Sequence, residues 1–174
     1  SWLFPPSTRE VQFDEKWAFV GKKDKHCDPE KPADAQQGDN WDHVALDPEH
    51  RLVVSVVPGK RTEDKVQQLV QDFKERTGGR IMNLMTSDEY PAYKTAIFEA
   101  YGVDKEFPRT GRPGRPKQAR KVLPKELQYA IGHKKRQNGR VVQGETRVVF
   151  GTLVAVLAAL AVCLCSTVVN LAFG

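Results

Sequence analysis

From Val11 to Val20, V-Q-F-D-E-K-W-A-F-V, aromatic and β-branched residues stand at Val11, Phe13, Trp17, Phe19 and Val20 among polar ones. This pattern fits a half-buried β-strand. Side chains alternate between faces along such a strand, so Asp14 and Glu15 point to opposite sides, and one of the two carboxylates is held on a rigid element. Trp41 to Leu46 and Arg51 to Val57 read as two further strands around the turn Asp47-Pro48-Glu49-His50, which with the first predicts a three-stranded antiparallel meander. Between them, Gly21 to Asn40 is dominated by Lys, Asp, Pro, Gly and Gln and reads as a long exposed loop.

The period then changes from two to 3.6. Thr62 stands as a cap before Glu63 and Asp64, the apolar residues Val66, Leu69, Val70 and Phe73 follow on one helical face, and Gly78-Gly79 ends the helix. Arg80 to Met85 reads as a short strand running into Thr86-Ser87-Asp88-Glu89-Tyr90-Pro91, which sets Asp88 between a strand and a helix. That helix, Pro91 to Tyr101, is expected to bury Ala96, Ile97 and Ala100. Leu127 to Phe150 reads as a hairpin turning near Gln137-Asn138-Gly139.

From Val148 to Gly174 no residue is charged, a run longer than the roughly 20 apolar residues that span a bilayer. It is rich in Ala and interrupted by Gly151, Ser166, Thr167 and Asn170, so a buried helix followed by an extended piece is expected. The rival is a single-pass membrane protein with Lys134 to Arg147 as its positive flank.

The 174 residues suit one domain, and the charge along them is uneven. Lys105 to Arg140 holds twelve Lys or Arg against two acids, a net +10 within a chain of +5, so the remainder is acidic at −5. Such a segment favours a polyanion, because cations that neutralise phosphates release counterions. Within it, Arg109 to Lys117 repeats Gly-Arg-Pro and resembles an AT-hook, an extended arm whose arginines enter a narrow minor groove. Arg109, Arg112, Arg115, Lys117, Arg120, Lys121, Lys134, Lys135 and Arg136 are the candidate DNA contacts. Cys27, Cys163 and Cys165 form no even disulfide framework and no zinc-ligand spacing, and read as reduced thiols in a cytosolic chain. The first residues have no signal-peptide pattern, and the absence of an initiating Met leads to the expectation that the chain begins inside a longer one.

D-E-K-W-A-F-V-G at Asp14, W-D-H-V-A-L-D before a valine-rich strand, and L-M-T-S-D-E-Y-P-A-Y around Asp88 together resemble the catalytic core of bacterial insertion-sequence transposases of the IS-one type, in the DDE superfamily. The resemblance runs from about residue 10 onward. It implies an α/β, ribonuclease H-like fold, with a mixed sheet of three antiparallel strands followed by helix, strand and helix. The catalytic core would be residues 11–174 behind a leader remnant at 1–10, carrying the exposed loop 21–40 and the basic segment 105–140.

The resemblance also implies a DDE triad holding two Mg2+ or Mn2+ ions, with Asp14 and Asp88 as its first two carboxylates. Two metals roughly 3.5 to 4 Å apart can activate the attacking oxygen and stabilise the leaving one in an in-line displacement at phosphorus. The family's third carboxylate lies beyond a helix and an Asn-containing segment, where this chain ends. The expectation is therefore a core incomplete at its C-terminus, with no third carboxylate and little or no activity. Glu145 precedes that helix and is not assigned the role, and Glu15 and Glu89 receive none. DNA is the implied partner, self-association is possible, and a bacterial cytoplasm is the implied location. A DNA-binding module without catalysis is the remaining alternative.

Overall fold

At the centre of the molecule, β1 (Glu10–Val20) pairs antiparallel with β2 (Gly38–Asp47) and parallel with β4 (Leu84–Ser87). The computed structural model describes residues 8–105, 120–137 and 140–166, the backbone alone at 133–137, 140–145 and 161–166. β3 (Leu52–Gly59) pairs antiparallel outside β2. On the other side β7 (Tyr129–Gln137) runs parallel to β4, and β8 (Arg140–Phe150) closes the sheet antiparallel to β7. The resulting order is β3-β2-β1-β4-β7-β8, with a separate ribbon of β5 (Val103–Lys105) and β6 (Arg120–Val122). Among the described residues three α-helices pack with the sheet: α1 (Glu63–Arg76), α2 (Ala92–Tyr101) and α3 (Leu153–Ser166). A mixed six-stranded sheet with three helices is of the α/β class that the resemblance implies and is consistent with a ribonuclease H-like fold.

The sheet is covered on both faces by different means. On one, Val11, Phe13, Ala45, Val54, Met85 and Tyr129 meet Val66, Leu69, Val70 and Phe73 of α1 and Tyr93, Ala96 and Ile97 of α2. Phe13 is the hub: its ring lies 5.6 Å from Phe73 edge-on and 5.6 Å from Tyr93 in a stack. On the other, Val156 of α3 packs on Leu84 and Ala130. Alternation explains the split, since Leu84 and Met85, like Tyr129 and Ala130, are consecutive residues on opposite faces.

Several boundaries differ from the sequence reading. Residues 8–10 are tied to the sheet: Thr8 is buried, the Arg9 carbonyl accepts a bond from the Asn83 N–H at 2.7 Å, and Glu10 begins β1. Residues 38–40 are already β2, and the preceding loop is tied down by Lys22–Asp34 at 2.7 Å and Lys60–Asp24 at 3.0 Å, leaving Asp34 buried. These cations hold both carboxyls below the usual carboxylate range, Lys22 at Asp34 and Lys60 at Asp24. β4 starts at Leu84 and not at Arg80; Met82 is buried in the core ahead of it, and Asn83 between them is exposed.

Thr62 occupies the N-cap position of α1, but its side chain makes no capping bond. The helix stops where Gly78 and Gly79 take φ of 65° and 74°, which glycine adopts at little cost. In α2 Tyr93 is fully buried, while Ala100 is only half-buried.

The basic segment is not one unit. Leu127, Tyr129 and Ala130 within it are core residues, and β7 is an interior strand of the sheet. A charge count cannot register buried apolar residues lying between the cations. The uncharged run from Val148 is likewise divided, at Gly151, whose φ of 97° ends β8. Thr152 then caps α3, its Oγ1 accepting from the Ala155 N–H at 3.3 Å. No helix of the described residues is long and apolar enough to cross a membrane.

Candidate functional site

The β1–β4 ladder ends at the pair Gln12 and Thr86. Beyond it the strands part: β1 continues alongside β2 to Val20, whereas β4 stops at Ser87 and the chain turns into α2. Asp14 and Asp88 each stand two residues past that last pair, one on either side of the parting. The crevice outside the carboxyl ends of neighbouring parallel strands is where open α/β sheets bind ligands.

Both carboxylates are exposed, and each is steadied through one oxygen. Asp14 Oδ1 accepts from the Glu15 N–H at 2.8 Å, and Asp88 Oδ1 accepts from the Tyr90 N–H at 3.0 Å. The end of β4 is fixed from below. Ser87 Oγ donates to the Asp88 carbonyl at 2.7 Å and lies 2.7 Å from the Tyr129 hydroxyl, itself pushed up to about 12 chiefly by burial.

Glu15 takes the other face of β1, shared with Phe13, and its side chain is 2 % exposed. Its Oε2 accepts from Arg61 Nε at 3.0 Å and from Nη2 at 2.9 Å. The same Nη2 lies 3.7 Å from Asp88 Oδ2, so one guanidinium spans β1 and the end of β4. Arg61 is itself held between two rings, 5.2 Å from the Trp41 centroid and 4.3 Å from that of Tyr90. Burial pushes the Tyr93 hydroxyl up, and the charges of Glu15, Asp88 and Asp14 add to the effect, so this phenol senses all three acids. Among the described residues, Glu15 Oε1, Tyr93 Oη and, across the ladder from Glu15, His43 Nδ1 are buried without a partner in hydrogen-bonding geometry.

Of the predicted site residues, Asp14 and Asp88 each stand two residues past the last pair of the β1–β4 ladder. The fold adds Glu15, Arg61 and Tyr93, which the sequence reading did not assign. Phe13 and Trp17 flank Glu15 at two residues on either side, a signal that this acid shares the core face; nothing local pointed to Arg61, 46 residues away. Arg109, Arg112, Arg115 and Lys117 lie outside the described residues. Arg120 and Lys121 are on β6, where Lys121 is paired with Glu99 of α2. Lys105 and Arg120 are cross-strand partners in the β5–β6 ribbon. Lys134, Lys135 and Arg136 are on β7.

Exposed carboxylate oxygens suit a hard divalent cation such as Mg2+, which takes oxygen ligands and keeps several waters. One oxygen of each Asp is engaged by a backbone N–H, and the other oxygen of Asp88 lies 3.7 Å from Arg61 Nη2. Among the described residues no group of three His, Cys, Asp or Glu is placed to hold a metal.

No protein-family model matches the chain, and no curated protein matches it. Among solved structures it is similar to the crystal structure of the Mos1 strand transfer complex, with 20% identity and a TM-score of 0.34. The match takes in 53% of this chain and 31% of that one, and a superposition at this level assigns no activity.

Proposed function

We propose that this chain carries the catalytic core of a DNA transposase of the IS-one-like, DDE type, whose reaction is metal-dependent phosphoryl transfer at DNA strands. What supports this reading is that Asp14 on β1 and Asp88 after β4 each stand two residues past Gln12 and Thr86, the last pair of the β1–β4 ladder. The motifs around the two acids resemble that family at the same two positions, on a first strand and after a fourth.

Asp14 and Asp88 are the residues that would hold Mg2+ or Mn2+. When bound, such an ion supplies Lewis-acid stabilisation of charge at the reacting phosphate. The chain's own groups do the rest. Backbone N–H bonds fix the two carboxylates, the Ser87–Tyr129 pair holds the end of β4, and Arg61 keeps β1 and Asp88 at a set spacing. The cations of 105–140, including Arg120, Lys134, Lys135 and Arg136, contact DNA phosphates, which positions the duplex without reading its sequence.

Metal-dependent DNA affinity tests this reading without requiring turnover. With a short duplex at fixed ionic strength, Mn2+ should tighten binding to the wild-type chain and leave Asp14→Asn and Asp88→Asn at their metal-free affinity. Equal Mn2+ effects on all three proteins would contradict it.

A further inference from the structure

Past Asp14, the α1 side of the sheet stops being apolar core and becomes a strip of rings and cations. Trp17 and Trp41 are direct cross-strand partners and so share a face. The Trp17 centroid lies 5.7 Å from that of Phe19, and the Lys23 ammonium sits 4.9 Å from the first ring and 6.0 Å from the second. Arg61 continues the strip between Trp41 and Tyr90 and ends it at Asp88.

Stability does not account for this arrangement. Trp17 is 40% and Phe19 47% exposed, so two large rings stand side by side with much of their area in water. A cation over an exposed ring contributes less than burying the ring would. Arg61 is committed to Glu15, whereas among the described residues the Lys23 ammonium meets no carboxylate within ion-pair reach. Exposed rings beside a cation that no carboxylate neutralises match one ligand chemistry well: an unpaired nucleotide, whose base stacks on a ring while its phosphate draws the ammonium to itself. Bases within a duplex are already stacked on each other and offer no free face.

We propose that Trp17 and Phe19, with Lys23, bind unpaired nucleotides of a DNA strand beside the Asp14–Asp88 crevice. The inference rests on the reading of the chain as a DNA-processing core for the identity of the strand, but stacking needs no metal.

The test is fluorescence anisotropy of the full chain with labelled oligo(dT) and with a hairpin duplex of equal phosphate number, in EDTA. Trp17→Leu and Phe19→Leu should each weaken oligo(dT) binding roughly tenfold and leave duplex binding unchanged. Trp17→Phe should restore most of the loss, because it returns a π-face, and Lys23→Gln should flatten the salt dependence for oligo(dT) by about one counterion. Both leucine substitutions are at exposed positions, and circular dichroism checks that each protein is folded. Oligo(dT) affinity indifferent to Trp17→Leu would overturn the proposal, as would an equal loss for both probes. A change in sedimentation with no change in oligo(dT) binding would overturn it too, in favour of a protein contact. Since EDTA removes metal from every arm, failure here is separate from failure of Asp14 and Asp88 to bind Mn2+.

Discussion

The guanidinium of Arg61 donates twice to one oxygen of Glu15, from Nε at 3.0 Å and Nη2 at 2.9 Å, while the acid's side chain is only 2 % exposed. The two ends of this pair are not equivalent. Arg61 is 38 % exposed at its side chain and retains Asp88 when Glu15 is neutralised. Glu15 without Arg61 is a buried carboxylate with no counter-ion. Arg61→Ala should therefore cost about 3 kcal/mol, and Glu15→Gln about 1 kcal/mol. Urea unfolding measures both, and the double variant should fall well short of the sum of the two losses.

Tyr129 links stability to alkaline pH. Its hydroxyl is raised from an ordinary 10.0 to about 12, by burial first, with the charge of Asp88 adding and the bond to Ser87 opposing. A raised folded-state value means the contribution is complete below pH 10 and is lost as pH climbs toward 12. The loss approaches about 2 to 3 kcal/mol. Tyr129→Phe should flatten the fall of the urea midpoint across this window without abolishing it, because burial also raises Tyr93 and Tyr101. Identical slopes in the two proteins would contradict the assignment.

Gly151 determines where the sheet ends and α3 begins. Its φ is 97°, and a Cβ there would come within 1.9 Å of Gln128 Oε1, the atom that accepts from the Thr152 N–H at 3.1 Å. Gly151→Ala combines backbone strain with loss of this bond and should destabilise the fold by about 1 to 3 kcal/mol in urea unfolding. Ala158→Gly in exposed α3 should cost less, about 1 kcal/mol.

What the sequence made legible was local. Alternation around Phe13 located β1, the 3.6 period through Val66, Leu69, Val70 and Phe73 located α1, and the placing of Asp88 between a strand and a helix followed from the residues on either side. What it hid depends on partners distant in the chain. Period two says that Asp14 and Glu15 face opposite ways, but the tie between Glu15 and Arg61 exists only once β1 lies beside the start of α1. The basic segment was bounded by counting cations, although the hairpin read over Leu127 to Phe150 already put a strand inside it; that strand is β7, whose interior place in the sheet no charge count shows. The interruption read at Gly151 in the uncharged tail is where β8 ends and α3 begins, but its positive φ could not be read from a hydropathy pattern.

The most direct test of the metal-site claim is calorimetric titration of Mn2+ into the wild-type chain, Asp14→Asn and Asp88→Asn, at low salt and without DNA. Binding to the wild type that either substitution weakens tenfold or more is the predicted result. No binding to the wild type, or equal binding to all three proteins, would contradict a site built by these two acids.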